Sequence, residues 1–182
     1  MADLVIRRLL IDLNTPFARL WNGGDAFRTA YFNALSMSFP AGEQFFIDAV
    51  RNGVDALPAG CDAVVTDTQG FVAQEATHRR IHALFNAQLA EQGHVNTWEK
   101  RIRVRQQRLE GVPPLHAVAA TAASEHFTAI FSAYLLTHPQ VFEGAEPRLR
   151  TMWLWHSAEE LEHRCTAFDL YRALDGDEFW RR

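Results

Sequence analysis

The chain has 182 residues and a formal net charge of -4, with 48% hydrophobic, 22% charged and 12% aromatic residues. That balance describes one ordinary globular domain spanning 1–182. It excludes disorder over most of the length, and the acidic excess speaks against a nucleic-acid binder. No apolar run approaches the roughly 20 residues of a membrane span, the start is no secretory leader, and two cysteines suit a reducing cytoplasm.

In chain order, Leu4 to Ile11 mixes β-branched and charged residues and reads as a short strand or extended arm, broken at Asn14-Thr15-Pro16. Residues 1–24 form this arm, and a helical bundle fills 26–174. Asn22-Gly23-Gly24-Asp25 is a turn ending on a helix N-cap, followed by helical spacing of Phe27, Ala30, Tyr31 and Leu35 to about Ser38. Pro40 is expected to interrupt or restart that helix, the second piece running to Ala56. A long helical pattern spans Asp62 to Gln92 and closes on Gly93. Thr97 to Glu110 is a basic, solvated helical connector. Pro113-Pro114 opens a helix to Thr137, and a last one is expected from Pro147 to about Leu174. Strand signal is nearly absent. Helices of about 25–30 residues reach roughly 40 Å, a length suited to an antiparallel bundle. The fold class is all-α: a four-helix bundle with a short N-terminal arm and one or two extra helices.

Each long helix carries glutamate where an apolar residue would be expected: Glu43, Glu75, Glu125 and Glu160. Residues three and four apart share a helix face, so Glu75, His78 and His82 point one way, as do His156, Glu160 and His163. Glu162 points away toward solvent, and Glu159 stands at the edge of the face. The order Glu43, Glu75-x-x-His78, Glu125, Glu160-x-x-His163 is that of a di-iron carboxylate bundle, in which one Glu comes from each of two helices and a Glu-x-x-His pair from each of the others. Four carboxylates offset two divalent ions and can bridge them, and imidazole suits Fe or Mn, with Zn also admissible. With 12 Glu and 8 His in 182 positions, roughly half an E-x-x-H arises by chance, so a single motif is weak. The signal is the order, one element per helix. Glu91-x-x-His94, beside Gly93, is the decoy at an exposed helix end. His82 and His156 are open between ligand and outer hydrogen-bond donor. His126 is expected to bond a neighbouring helix, with His116 and His138 structural.

FPAGEQFF, QEATHRRIH, SEHFTA and WHSAEELEHRCTAFDLY, from Ser36 to Tyr171, resemble the bacterial family of predicted metal-dependent hydrolases. The resemblance implies a ferritin-like fold and places the acidic and histidine motif positions on Glu43, Glu75, His78, His82, Glu125, His156, Glu160 and His163. The histidine-rich set also looks like the arylamine N-oxygenase type of di-iron centre, an analogy at the level of the site.

The leading expectation is an O2-activating di-iron oxidoreductase acting on a small organic substrate, with Glu43, Glu75, Glu125 and Glu160 as catalytic carboxylates. Phe46, Phe71, Phe85, Phe131, Trp153 and Phe168 are candidates for its pocket, though core packing is the plainer use of most. The alternatives are a two-metal hydrolase and a non-catalytic metal-binding bundle. Against hydrolysis stands the shortage of basic anchors, since Arg79, Arg80 and Arg164 lie off the ligand face. A homodimer is left open.

Overall fold

The computed structural model describes residues 4–177, so the first three residues of the arm lie outside the described residues. Six α-helices and one short 3-10 turn follow in order: α1 (Ala26–Asp55), α2 (Asp62–Glu91), α3 (Thr97–Gln107), α4 (Pro114–Thr137), η1 (Pro139–Phe142), α5 (Pro147–His163) and α6 (Thr166–Ala173). Among the described residues there is no strand; the arm lacks regular structure, and one isolated bridge joins Asn22 to Ala145. Among the described residues no helix is long and apolar enough to cross a membrane.

α1 begins where the sequence places it, with the Asp25 carboxylate accepting from the Arg28 amide at 2.9 Å. The expected interruption at Pro40 does not occur; the helix runs unbroken through it for 30 residues. Proline has no amide to offer the carbonyl four residues earlier. Here that carbonyl, on Ser36, accepts instead from Asn86 Nδ2 of α2 at 2.9 Å, and the next, on Met37, accepts from Asn96 Nδ2 at 3.0 Å. Asn86 therefore replaces the bond that Pro40 removes, and Asn96 adds a tie on the neighbouring carbonyl.

The second departure lies at the other end. The expected helix from Pro147 to Leu174 divides at Arg164–Cys165 into α5 and α6. The division lets the two pieces serve different cores. Leu149, Met152 and Trp153 of α5 join a large apolar cluster with Phe32, Met37, Ile81, Phe85, Leu89 and Leu135. Leu170 and Tyr171 of α6 join a smaller one with Val50, Phe71 and Val118. Gly53 permits the close approach of α1 there, since a Cβ at that position would meet Val118 Cγ2 at 2.7 Å. α3, expected to reach Glu110, ends at Gln107 and buries nothing, as a solvated connector should.

The two cores divide each long helix in the same way. α1 gives Phe32 and Met37 to one and Val50 to the other; α2 gives Ile81, Phe85 and Leu89 to one and Phe71 to the other. The layer between them is polar, and it holds the acidic and histidine positions.

Candidate metal centre

Glu43 from α1, Glu75, His78 and His82 from α2, Glu125 from α4, and His156, Glu160 and His163 from α5 are all buried, none more than 5% exposed. Their donor atoms fall into overlapping groups within 4.8 Å that could hold a metal ion: Glu75, Glu125, Glu160 and His163; Glu43, Glu75 and His78; His78, His156 and Glu160; Glu43, His82 and His156. Glu75 and Glu160 each belong to a group around His163 and to a group around His78. The structure thus brings together all eight residues that sequence spacing and family resemblance single out. Glu91 is exposed and takes no part.

Hydrogen bonds decide which ring nitrogen each histidine turns inward. His163 Nδ1–H donates to Gln74 Oε1 at 2.9 Å, leaving Nε2 facing Glu125 at 3.2 Å and Glu75 at 3.3 Å. His78 does the reverse. Its Nε2–H donates to Glu159 Oε2 at 3.0 Å, leaving Nδ1 at 3.4 Å from Glu75 and 3.3 Å from Glu160. A longer chain orients His156. The Ser36 hydroxyl donates to Asn86 Oδ1 at 2.8 Å and so accepts from His82 Nδ1–H, also at 2.8 Å. His82 Nε2 then accepts from His156 Nδ1–H at 3.0 Å, which leaves His156 Nε2 facing Glu160 at 3.2 Å. Both nitrogens of His82 are thereby engaged.

Nine donor atoms of this cluster are buried with no hydrogen-bond partner: both carboxylate oxygens of Glu43, Glu75 and Glu125, Glu160 Oε2, His78 Nδ1 and His163 Nε2. Buried polar atoms are nearly always satisfied, and leaving one unpaired costs about 1–3 kcal/mol. A concentration of nine in one layer, close to one another as ion pairs yet without a formed hydrogen bond, marks donor atoms that a cation would satisfy.

The ionisation pattern of the bare protein follows from the same crowding. Burial and then the charge of Glu160 push the Glu125 carboxyl up to about 8. Burial and Glu75 likewise lift Glu43 well above the ordinary carboxylate range. Burial opposes charge on His163, but Glu160 and Glu125 overcome it and raise that ring to about 10. His78 is raised in the same way by Glu159, Glu160 and Glu75 against its burial. Glu160, despite burial, is held well below its usual value by the neighbouring His163, His156 and His78. Burial and the nearby imidazoles depress His82 and His156. Protons on His78 and His163 thus stand where positive charge is wanted.

Aromatic rings wall the layer. Phe39 stacks on His156 with centroids 5.0 Å apart, Trp155 lies edge-on to His78 at 5.0 Å, Trp153 approaches His82 at 5.2 Å and Phe71 approaches His163 at 4.8 Å. Of the aromatics singled out in the sequence, Phe71 and Trp153 touch the histidines in this way. Phe85 and Phe131 pack in the large core, Phe46 and Phe168 on the small one. A surface cleft of about 370 Å³ opens alongside, lined by Pro40, Gln44, Phe45, Arg79 and Arg103 among others; Gln44 and Arg79 directly follow Glu43 and His78 in the chain.

Four sequence readings need correction or completion. Glu162 is not simply solvated: it is gripped by Arg7 through two 2.7 Å bonds and accepts from Gln74 at 3.1 Å. Glu159, at the edge of the face, is fully buried and belongs to the hydrogen-bonded surroundings of His78. Among the described residues His126 bonds no neighbouring helix; it is exposed, and its ring meets Phe127 of its own helix. Gln74, one residue before Glu75, holds His163, a role that helical spacing does not assign; its amide inside an acidic motif is the signal in the sequence.

A family model described as predicted metal-dependent hydrolase matches residues 5–182, and the chain belongs to that family. No curated protein and no solved structure gives a significant match.

Proposed function

We propose that this member of the predicted metal-dependent hydrolases is a two-metal enzyme that hydrolyses a small ester or phosphoester. The observation supporting the metals is the set of nine buried, unpartnered donor atoms converging from four helices. Glu75 and Glu160, shared between groups, would bridge the two ions. Glu125 and His163 would complete one position, and Glu43, His78 and His156 the other. Four carboxylates balance the charge of two divalent ions, which fits the donor set without any buried lysine or arginine. His82, with both nitrogens engaged, would orient His156 instead of binding metal.

Two divalent ions held there would acidify a water molecule and polarise a substrate oxygen. The chain's own part is positional. The aromatic wall excludes bulk water, and Glu159 and Gln74 fix the rings of His78 and His163. Arg79 lines the adjacent cleft, beside Asp48 and the Glu99-paired Arg103, and would receive an anionic end of the substrate. Family membership and this cleft favour hydrolysis.

A second reading rests on the enclosure of a carboxylate-rich layer with two Glu-x-x-His pairs by four aromatic rings, an arrangement suited to iron and O2-dependent oxidation of an organic substrate. Metal analysis of aerobically purified protein, with turnover of p-nitrophenyl esters and phosphates, separates the readings. Hydrolysis predicts two Zn or Mn per chain, turnover lost on chelation and restored on reloading, and no response of a ferrous form to O2. Bound iron whose ferrous form is oxidised by O2, without ester or phosphate turnover, would overturn it in favour of the second.

A further inference from the structure

The N-terminal arm lies outside the helical bundle, yet the hydrogen bonds leaving both Glu-x-x-His histidines end on it. Gln74, which receives the proton of His163 on Oε1, donates from Nε2 to the Val5 carbonyl and to Glu162, each at 3.1 Å. Two acceptors on one side force the amide nitrogen toward the arm and the amide oxygen toward His163. Only a proton on Nδ1 of His163 satisfies that oxygen, so Nε2 is the nitrogen that faces the carboxylates. Glu159, which receives the proton of His78 on Oε2, has its other oxygen 3.5 Å from Arg7. The same guanidinium grips Glu162. The arm thus sets the partners of two histidines whose inward nitrogens differ.

A separate contact seats the arm. Leu4 packs on the small core, directly over Gly70 of α2; a Cβ at position 70 would lie 2.8 Å from Leu4 Cβ. Glycine there costs about 0.5–1 kcal/mol of helix propensity relative to alanine, and its use leaves room for the arm.

We propose that Arg7 and the Val5 carbonyl are positioning elements of the metal centre: the seated arm fixes the ring orientation of His78 and His163 and slows metal release. This rests on the two-metal reading. An exposed ion pair that merely tethered the arm would contribute about 0–1 kcal/mol to stability and nothing to metal retention. Outer hydrogen-bond partners of metal-bound histidine, by contrast, change metal affinity by about 10–100-fold.

The test uses the full chain loaded with Co(II), in wild-type form and as Arg7→Ala, Arg7→Lys and Gly70→Leu. The last unseats the arm from a residue that touches none of the site. Co(II) release to excess EDTA is followed with the exchangeable, paramagnetically shifted imidazole N–H signals. Arg7→Ala and Gly70→Leu should take up as much Co(II) as wild type but release it about 10–100-fold faster, with N–H signals lost to solvent exchange. Arg7→Lys should rescue release only in part, because lysine cannot form the forked bond to Glu162. Wild-type release rates and N–H signals in both variants, with hydrogen exchange showing residues 5–8 unprotected, would overturn the proposal alone. Failure of the wild-type chain to take up two Co(II) would overturn the two-metal reading together with it.

Discussion

Lowering the pH should expel metal from this protein far more steeply than from a site made of ordinary carboxylates. At pH 7 the metal-free protein keeps a proton on Glu125, held at about 8, and one on the inward nitrogen of His163, held at about 10. Glu125 is then largely protonated and His163 fully so. His78, also raised well above its ordinary value, carries a third. Glu43, lifted well above the carboxylate range, carries a fourth. A metal ligand must be deprotonated, so uptake releases about three to four protons. Glu160, held ionised by its histidine neighbours, contributes none. The logarithm of the metal affinity should therefore rise by about three to four for each pH unit near neutrality, or about 4–5 kcal/mol at 1.36 kcal/mol per proton and unit. Calorimetric titration of Zn(II) into the metal-free chain at pH 7, in buffers of different ionisation enthalpy, counts the protons directly. Release of one proton or fewer would refute the argument, because it would mean that the buried carboxylates and imidazoles do not hold each other's charge as their spacing implies.

The same groups govern the stability of the metal-free protein. Glu125 and His163 have folded values above their ordinary 4.5 and 6.5, so their stabilising protons are fully bound below those values and lost as pH rises through about 8 and about 10. Melting of the metal-free chain should accordingly fall between pH 6 and 9, and bound metal should flatten the decline. Glu43→Met should raise that melting temperature by about 3–10 °C, because it removes an unpartnered buried carboxyl costing about 1–3 kcal/mol, while elemental analysis shows metal lost. Glu75→Ala or Glu160→Ala should abolish binding of both ions, whereas Glu91→Ala should leave metal content at the wild-type level. Gly53→Ala should destabilise by about 1–3 kcal/mol in denaturant unfolding, since its methyl would collide with Val118 and Leu170.

The grouping of these residues was readable from spacing because a helix repeats every 3.6 residues whatever surrounds it. Glu75 with His78, and Glu160 with His163, share a face by that rule alone, and the apolar setting of Glu43 and Glu125 marked them as inward. The four long helices were legible for the same reason. Pro40 shows where local rules stop. Proline ends a helix when nothing replaces its missing hydrogen bond, and the replacement here comes from Asn86, 46 positions along the chain. Glu159 and Glu160 present a similar limit: they are consecutive, and both are buried, yet only Glu160 meets the other site carboxylates while Glu159 turns to His78 and Arg7.

Sequence by itself therefore determined the fold class and which residues share a face, since each depends on composition or on periodicity within one helix, and the family was legible from the four motifs in their order. Only the tertiary structure decided the rest: that a polar layer separates two apolar cores, that His78 turns Nδ1 inward while His163 turns Nε2, that His82 spends both nitrogens on Ser36 and His156, and that Arg7 reaches Glu159 and Glu162 from the arm. A ring's orientation is set by whichever donor or acceptor stands opposite it, and in a bundle that partner belongs to another segment of the chain.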